Sequence, residues 1–175
     1  MMANQIIKAT INDFEPIVSI GQISVRDAHK ASCPTEIMDE FIQRNYNPDA
    51  IKKELADPKN IYHIIYHDGK PAGFSKLILN ARHGNVEIEN AAMLDRIYLL
   101  NEFQGLKLGY ELLKFNMDLA RENGQAGIWL HTWTGNKKAI EFYKRAGFAI
   151  IGSHDFFVAR THTNPNHQMY LDLTK

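Results

Sequence analysis

The spacing of apolar positions predicts a strand and three helices in the first third of the chain. Ile6 to Ala9 has the character of a short strand, and the helix behind it carries Phe14 and Ile17 on one face. A second helix is predicted from Thr35. A third runs from Asn47 to about Leu55, where Asn-Pro-Asp is a typical helix start. The chain therefore opens as a strand followed by helices.

The middle of the chain combines a hairpin with a strand-helix-strand unit. Ile61 to Tyr66 and Ala72 to Leu79 flank an Asp-Gly pair, a strong signal for a two-residue turn between antiparallel strands. Ala91 to Leu100, Leu108 to Asn123 and Gly127 to Trp133 then alternate strand, helix and strand. Because such crossovers are almost always right-handed, the two strands should lie parallel. The turn between strand and helix then lies at the end of the sheet where ligands usually bind.

The last quarter of the chain predicts a short helix and two strands. Asn136 is placed to cap the helix, Gly147 closes it, and Phe148 to Ile151 form the next strand. Thr161 to His167 contains a proline among Asn and His residues and is predicted as a loop. Gln168 to Leu173 is the final predicted strand.

Composition narrows the classes of partner and location. With 175 residues, 45% of them hydrophobic, the chain fits one domain over residues 1–175. Lys plus Arg equals Asp plus Glu at 20 each, so no net field directs the protein to nucleic acid or a membrane surface. The single cysteine excludes an internal disulfide, and the start MMANQIIKAT lacks the apolar core of a signal peptide. No apolar run approaches the roughly 20 residues that span a bilayer. These features predict a cytoplasmic protein.

The segment from Gln104 to Gly109 is the first candidate for binding chemistry. It joins a predicted strand to a helix start, where free N–H groups and the helix dipole favour a phosphate. An ordinary tight turn is the alternative, because one glycine-bearing turn is a weak signal by itself. Lys107 lies between Gly105 and Gly109 and is expected to hold a negative φ, since a side chain makes positive φ costly.

Two motifs in a fixed order carry a family resemblance. They are LDRIYLLNEFQGLKLG, from Leu94 to Gly109, and NKKAIEFYKRAGF, from Asn136 to Phe148. Separated by one helix and one strand, they resemble the QxxxxG and NxxAxxFYxxxGF motifs of the GCN5-related N-acetyltransferases. The segments AIKKELADPKN, HDGKPAGFSKL and FAIIGSHDFF are similar to the PaiA-type spermidine/spermine acetyltransferases, so the resemblance runs nearly end to end.

This resemblance implies a fold, a co-substrate and a reaction. The fold would be α/β, with a mixed, mostly antiparallel sheet of about seven strands, splayed at the coenzyme A site and flanked by helices. Acetyl-coenzyme A would be the co-substrate and a small-molecule amine the acceptor, with direct attack of the amine on the thioester. Paired chains are common in this family, which makes a homodimer an option.

The resemblance also assigns roles to residues. Backbone groups of Ile97, Tyr98 and Leu99 would pair with the pantetheine arm, and Asn136 would contact the coenzyme as well as cap its helix. Tyr143 would contact the coenzyme and act as the general acid that protonates the leaving thiolate, whereas its pattern alone indicates a packed aromatic. Turn amides would hold the pyrophosphate, namely those of Gln104, Gly105, Leu106, Lys107, Leu108 and Gly109.

A base for the acceptor amine is less sharply indicated. An amine with a pKa near about 10 must lose a proton before it attacks, and Asp95, on the strand before the turn, is the candidate. A structural ion pair with a lysine or arginine is an equally weighted alternative for Asp95. Glu87, Glu89 or a chain of water molecules are further alternatives for the base.

The acceptor itself is the least determined part. PaiA-like proteins tend to carry an acidic residue near the last strand, where this chain has Asn166 and His167. A polyamine such as spermidine or spermine therefore competes with a protein, amino-acid or aminoglycoside amine, and with a non-catalytic acyl-coenzyme A sensor. Trp129, His131 and Trp133 alternate along one strand face, and they either line an acceptor pocket or pack against a helix.

Eight histidines raise the question of a metal site. His154, His162 and His167 lie near the end of the sequence, but only one cysteine is available and loop histidines are usually solvated. We therefore predict no metal site.

Overall fold

The protein forms one seven-stranded sheet with five α-helices in the part that the computed structural model describes, residues 4–175. The described residues do not include Met1, Met2 and Ala3, which begin the segment MMANQIIKAT that lacks the apolar core of a signal peptide. The strands are β1 Gln5–Lys8, β2 Ile61–His67, β3 Lys70–Ile78, β4 Ala91–Leu99, β5 Gly127–Trp133, β6 Ala149–Ala159 and β7 His162–Asp172. The helices are α1 Phe14–His29, α2 Thr35–Asn45, α3 Pro48–Ala56, α4 Leu108–Glu122 and α5 Lys137–Arg145.

The sheet is mixed and mostly antiparallel, as predicted. Its order is β1-β2-β3-β4-β5-β7-β6, and every neighbouring pair except β4–β5 is antiparallel. The predicted Asp-Gly hairpin joins β2 to β3, with φ values of 48° at Asp68 and 76° at Gly69. Two successive positive φ angles are the signature of the type I′ turn, whose twist matches that of antiparallel strands.

The sheet splays between β4 and β5. Only Ala91–Met93 pair with Gly127–Trp129, and beyond them β4 stays paired with β3 alone. Lys76 lies opposite Arg96 while its neighbour Leu77 lies opposite Leu94, which leaves Asp95 as the extra residue of a β-bulge. Bulges bend a strand and increase its twist. The bulge therefore lies where β4 leaves β5 and a wedge-shaped opening begins.

Helices cover both faces of the sheet. On one face, α1, α2 and α3 pack on buried side chains of β2 and β3 such as Tyr62, Ile64 and Phe74. On the other face, α4 and α5 cover Leu94, Ile128 and further apolar residues of β4, β5 and β7. Within residues 4–175, no helix combines the length and apolar character needed to cross a membrane.

The last two strands are longer than the sequence predicts. β6 continues to Ala159 instead of ending near Ile151, and β7 begins at His162, so the prediction of a loop over Thr161 to His167 is wrong. Pro165 fits the strand because β7 pairs with β5 only up to Asn166. The Pro165 carbonyl accepts a hydrogen bond from the Thr134 N–H at 3.0 Å. The Pro165 nitrogen therefore faces the side of β7 where β5 has ended. The missing N–H of proline thus removes no hydrogen bond between β5 and β7.

Candidate active site

The diverging ends of β4 and β5 enclose a cleft of about 870 Å³. Its lining includes almost every predicted site residue, namely Asp95, Ile97, Tyr98, Leu99, Gln104, Gly105, Lys107, Leu108, Gly109, Asn136 and Tyr143. Leu106 differs, because its side chain is exposed and does not line the cleft. The fold thus brings together candidates from three separate parts of the sequence, and of Leu106 only the backbone remains a candidate contact.

The turn before α4 leaves backbone N–H groups free at one end of the cleft. The first hydrogen bond of the helix runs from the Glu111 N–H to the Lys107 carbonyl at 3.0 Å. The N–H groups of Leu108, Gly109 and Tyr110 therefore precede the helical ladder and are available to a ligand. Free amides at the positive end of a helix dipole form a favourable site for a phosphate.

Lys107 has a left-handed backbone conformation, which contradicts the predicted negative φ. Its φ is +64°, close to the +85° of Gly105, and it is the N-cap residue of α4. A residue with a side chain pays about 1–3 kcal/mol in this region, and such strain persists where the surrounding structure imposes it. The lysine side chain adds an ammonium group beside the free amides at the start of α4. A glycine at this position would relieve the strain but would carry no charge.

Further side chains make the same end of the cleft positive. Gln104 links the turn to α5, because its Oε1 accepts a hydrogen bond from Lys138 Nζ. Its Nε2 donates to Asn101 Oδ1 at 2.8 Å. Lys107 and Lys138 lie at this end, and Arg145 of the same helix as Lys138 also lines the cleft. Their charges complement an anionic ligand held by the turn amides.

One edge of β4 faces the opening without a strand partner. Ile97, Tyr98 and Leu99 pair with β3 through Ser75, Phe74 and Gly73, while in residues 4–175 no strand pairs with their other edge. Backbone groups of this kind can receive the amides of an extended ligand as an added strand. The side chains still belong to the core, as Ile97 packs on the apolar cluster around Leu108 and Leu112.

Helix α5 brings Asn136 and Tyr143 to the opposite wall. Asn136 caps the helix, as its side-chain oxygen accepts the Ala139 N–H at 3.1 Å. Tyr143 is 9% exposed and its ring packs edge-on against Phe148 with centroids 5.7 Å apart. Burial, together with the neighbouring Tyr98, raises the pKa of the Tyr143 phenol well above its ordinary value. Tyr143 is therefore both a packed aromatic and a protonated hydroxyl at the cleft.

Asp95 belongs to a partly buried network of charges beneath the cleft. Its Oδ2 lies 3.0 Å from Lys76 Nζ and 3.7 Å from Arg96 Nε. Glu54 Oε2 is 2.9 Å from Lys76 Nζ and 3.2 Å from Arg96 Nη1, and it also accepts the Tyr62 hydroxyl. Burial by itself would raise the pKa of Glu54, but Arg96, Tyr62 and Lys76 lower it below its ordinary value. The ion-pair alternative for Asp95 is thus realised, although both contacts use Oδ2.

The chain matches a known family over most of its length. A family model described as "Acetyltransferase (GNAT) family" matches residues 18–148. The chain belongs to the GNAT family. It is therefore an N-acetyltransferase, which moves an acetyl group to an amine. The predicted family and the predicted enzyme class are confirmed.

Relatives of this acetyltransferase include two bacterial proteins. An uncharacterized N-acetyltransferase of Lactobacillus delbrueckii subsp. lactis is 27% identical over 156 residues, 89% of this chain and 90% of that protein. A spermine/spermidine N(1)-acetyltransferase of Bacillus subtilis strain 168 is 27% identical over 146 residues, 79% of this chain and 93% of that protein.

A solved structure shows the same fold. The PaiA N-acetyltransferase from Thermoplasma acidophilum, in complex with coenzyme A, superposes with a TM-score of 0.78. It is 20% identical, and the match covers 98% of this chain and 99% of that one. At this identity the likeness concerns the fold, and it confirms the splayed, mixed sheet predicted for a GNAT acetyltransferase.

The other end of the cleft in this acetyltransferase is aromatic and amide-rich. His131 and Trp133 line it, whereas Trp129 is buried and donates its Nε1–H to the Ala81 carbonyl at 2.7 Å. His131 and Trp133 thus line the cleft, whereas Trp129 contacts Ala81 and His83 of the loop between β3 and β4. Asn164 and Asn166 of β7 complete the wall as buried side chains.

Sequence reasoning missed two residues of this site. Asn164 lies in the segment predicted as a loop, which hid its position on a strand beside the cleft. Glu54 is on a polar helix with no visible partner in the sequence. The signal that points to it is Lys76, a lysine inside an apolar strand, because a buried ammonium needs a carboxylate.

Proposed function

We propose that the acceptor is a small-molecule polyamine such as spermidine or spermine, and that its amine attacks acetyl-coenzyme A directly. The observation that supports this mechanism best is the pairing, in one cleft, of free helix-start amides at one end with the protonated Tyr143 deeper inside. We also propose that the whole chain, residues 1–175, forms a single acetyltransferase domain, since all seven strands belong to one sheet.

The residues present fit coenzyme A. Turn amides from Gln104 to Gly109 suit its pyrophosphate, Lys107 and Lys138 add positive charge, and the free edge of β4 suits its extended amide arm. Gly105 supports this fit, because its φ of +85° is a conformation that side chains rarely adopt. When bound, acetyl-coenzyme A supplies the acetyl group as an activated thioester.

Tyr143 supplies the proton that the departing sulfur needs. A phenol is protonated at neutral pH, and burial raises the pKa of Tyr143 further, so a proton is present to be donated as negative charge develops on the sulfur. Direct transfer needs no nucleophilic side chain on the enzyme. Cys33, the one cysteine of the chain, is not among the residues that line the cleft, which agrees with direct attack.

Asp95 is our candidate for the proton acceptor. Its contacts with Lys76 and Arg96 are both made by Oδ2, and its side chain lines the cleft. We propose that Oδ1 receives the proton of the acceptor ammonium, directly or through water. Lys76 Nζ contacts the carboxylate at 3.0 Å, and the bulge at Asp95 lies where β4 leaves β5.

We expect Asp95→Asn to lower kcat about 100-fold at neutral pH, the lower range of a lost general base. The loss should shrink as the pH approaches the amine pKa of about 10, because the free amine no longer needs a protein base. Glu54→Gln is the matched control, since it disturbs the same ion-pair network without touching the cleft. Equal pH–rate profiles for the two variants would remove Asp95 from the chemistry.

Two features support a polyamine as the acceptor. The carboxylates of Asp27 and Asp95 line the cleft and suit the several ammonium groups of an extended polyamine. Aromatic rings of Phe41, Tyr46 and Trp133 also line it and suit alkyl chains and cations. The relative from Bacillus subtilis is named for spermine and spermidine.

The uncharged side-chain amides of Asn164 and Asn166 in the cleft lining favour a neutral polar acceptor instead of a polyamine.

The deciding experiment is thiol release from acetyl-coenzyme A with spermidine, spermine, amino acids and aminoglycosides. It follows a thermal-shift measurement that establishes coenzyme A binding. Turnover with a polyamine at least about tenfold above the other amines supports the proposal. Turnover restricted to another amine overturns the acceptor but keeps the chemistry. Coenzyme A binding without turnover on any amine overturns the polyamine assignment and favours a protein acceptor or a sensor.

A further inference from the structure

Three histidines that are far apart in the sequence meet beside the cleft. His83 lies in the loop between β3 and β4, His131 on β5 and His154 on β6. One ring nitrogen of each histidine lies within 4.8 Å of one ring nitrogen of each of the other two. The rings of His131 and His154 stack with centroids 4.2 Å apart and an interplanar angle of 12°, and His83 is 5.5 Å from His131.

The strand register explains this meeting. Strand β7 lies between β5 and β6, with Gln168 opposite both His131 and Gly152. Directly opposed residues share a sheet face, so His131 and Gln168 point the same way, as does His154 two residues beyond Gly152. The loop folds over this face, where Asn85 donates its side-chain N–H to Gln168 Oε1 at 2.9 Å and so positions His83.

The cluster contains buried polar atoms that lack partners. His131 Nε2 and Gln168 Nε2 are buried and make no hydrogen bond within the described part of the chain, and Gln168 is fully buried. No ion pair joins the three histidines to a carboxylate of residues 4–175. A buried nitrogen without a partner is costly, and a bound ion, ligand or water would supply the missing contact.

The surroundings of His131 favour its neutral form, beside the geometry of the cluster. Burial, followed by the neighbouring His154 and His83, lowers the pKa of His131 to about 4. Unprotonated imidazole is the form that binds metal ions, whereas protonation would place like charges in contact.

We propose that His83, His131 and His154 form a binding site for a divalent transition-metal ion, with Zn²⁺ as the best-suited candidate. Three imidazole ligands and no thiolate or carboxylate suit Zn²⁺, Cu²⁺ or Ni²⁺ better than Mg²⁺ or Ca²⁺. Three protein ligands leave a fourth tetrahedral position free for water. The proposal departs from our sequence-based prediction of no metal, which considered His154 with His162 and His167.

Small movements complete the geometry. Zn–N bonds of about 2.0–2.1 Å place ligand nitrogens about 3.3 Å apart, so the rings must close by roughly 1.5 Å. His154 is exposed and His83 lies in a loop, so both can move toward His131 on its strand. His83 Nδ1 accepts the Asn85 N–H at 3.2 Å, a contact within the loop that carries this histidine.

Direct metal titration tests the proposal. The chain, produced without a polyhistidine tag and stripped with a chelator, is titrated with ZnCl₂ by calorimetry, and CoCl₂ binding is followed by visible absorption. We expect one equivalent of Zn²⁺ and the intense absorption of tetrahedral Co²⁺. His83→Gln, His131→Gln and His154→Gln should each weaken binding at least about tenfold.

The control removes a histidine elsewhere. His67→Gln lies on β2, away from the cluster, and should bind as the unaltered chain does. Because His154 is exposed, its variant is expected to fold even if the His131 variant does not, and melting in chelator checks each. Less than half an equivalent of Zn²⁺, or affinity unchanged in His154→Gln, would overturn the site. The cluster would then be a packing contact among three imidazole rings.

Discussion

At the scale of single residues, burial shifts the protonation equilibria of two groups in the cleft. It raises the pKa of the Tyr143 phenol, which is protonated at neutral pH in water as well, and it lowers the pKa of His131 to about 4. Asp95 contacts two cationic side chains in the same region. A protonated hydroxyl, a neutral ring nitrogen and an ion-paired carboxylate therefore coexist in one cleft.

We expect Tyr143→Phe to reduce kcat about 100-fold, because the variant keeps the packing but loses the proton. The KM for acetyl-coenzyme A should change less than threefold, since the ring and the turn amides remain. Steady-state kinetics at varied acetyl-coenzyme A measure both constants. Tyr66→Phe, which loses a hydroxyl outside the cleft, is the control. An unchanged kcat in Tyr143→Phe would exclude the acid role.

Lys107 allows the cost of its backbone conformation to be separated from the benefit of its charge. Lys107→Gly should raise the melting temperature of the free protein by about 1–2 °C through relief of strain. Its stabilisation by coenzyme A should nevertheless be smaller, because the ammonium is lost. Lys107→Ala keeps the strain and loses the charge, so it should show only the second effect. Equal coenzyme A stabilisation in all three proteins would contradict a phosphate contact by Lys107.

At the scale of elements, the site depends on two places where regular structure stops. The ladder between β4 and β5 ends after three residue pairs, and α4 begins with amides that no helical carbonyl can reach. Each leaves backbone groups unpaired inside the fold. The motif from Leu94 to Gly109 spans both places, which explains why so short a segment carries most of the predicted contacts.

Two helix caps provide a matched comparison. Asn136 caps α5 at the cleft, where its side-chain oxygen accepts the Ala139 N–H at 3.1 Å. Asn47 caps α3 outside the cleft, and its side-chain oxygen accepts the Ala50 N–H at 2.9 Å. Either change to alanine should cost about 1 kcal/mol of unfolding free energy, measured by urea denaturation. Only Asn136→Ala should also weaken coenzyme A binding, measured by calorimetry. Equal affinities in both variants would limit Asn136 to its capping role.

At the scale of the whole molecule, charges tie together elements that are distant in sequence. Glu54 on α3, Lys76 on β3 and the pair Asp95–Arg96 on β4 form one network under the cleft. This network joins the helical layer to the sheet on the side where β4 diverges. It therefore contributes to stability and to the position of Asp95 together.

The pH dependence of stability should report on this network. The folded-state pKa of Glu54 is lowered, so its contribution is present above the unfolded value of about 4.3 and is lost as the pH falls through the folded value. We expect Glu54→Gln to cost about 2 kcal/mol at pH 7 and to flatten the fall in stability below about pH 4. Glu141→Gln, in an exposed pair with Lys144, should change neither. Parallel stability curves for Glu54→Gln and the unaltered chain would contradict this account.

The local features of this protein could be predicted from its sequence. The Asp-Gly hairpin, the helix starts at Asn47 and Asn136 and the parallel crossover follow from turn chemistry, capping and chain handedness, which act over a few residues. The conformation of Lys107 and the strand through Pro165 could not be predicted, because neighbouring elements override local preference there.

The sequence by itself therefore determined the order of elements, the turn motif and the family, since these depend on patterns along the chain. Only the tertiary structure decided which side chains meet. It paired Glu54 with Lys76, aligned His131 with His154 through β7 and placed Asp95 on a bulge. Such contacts join residues tens of positions apart, and strand register and burial select them. A single sequence carries no direct record of either.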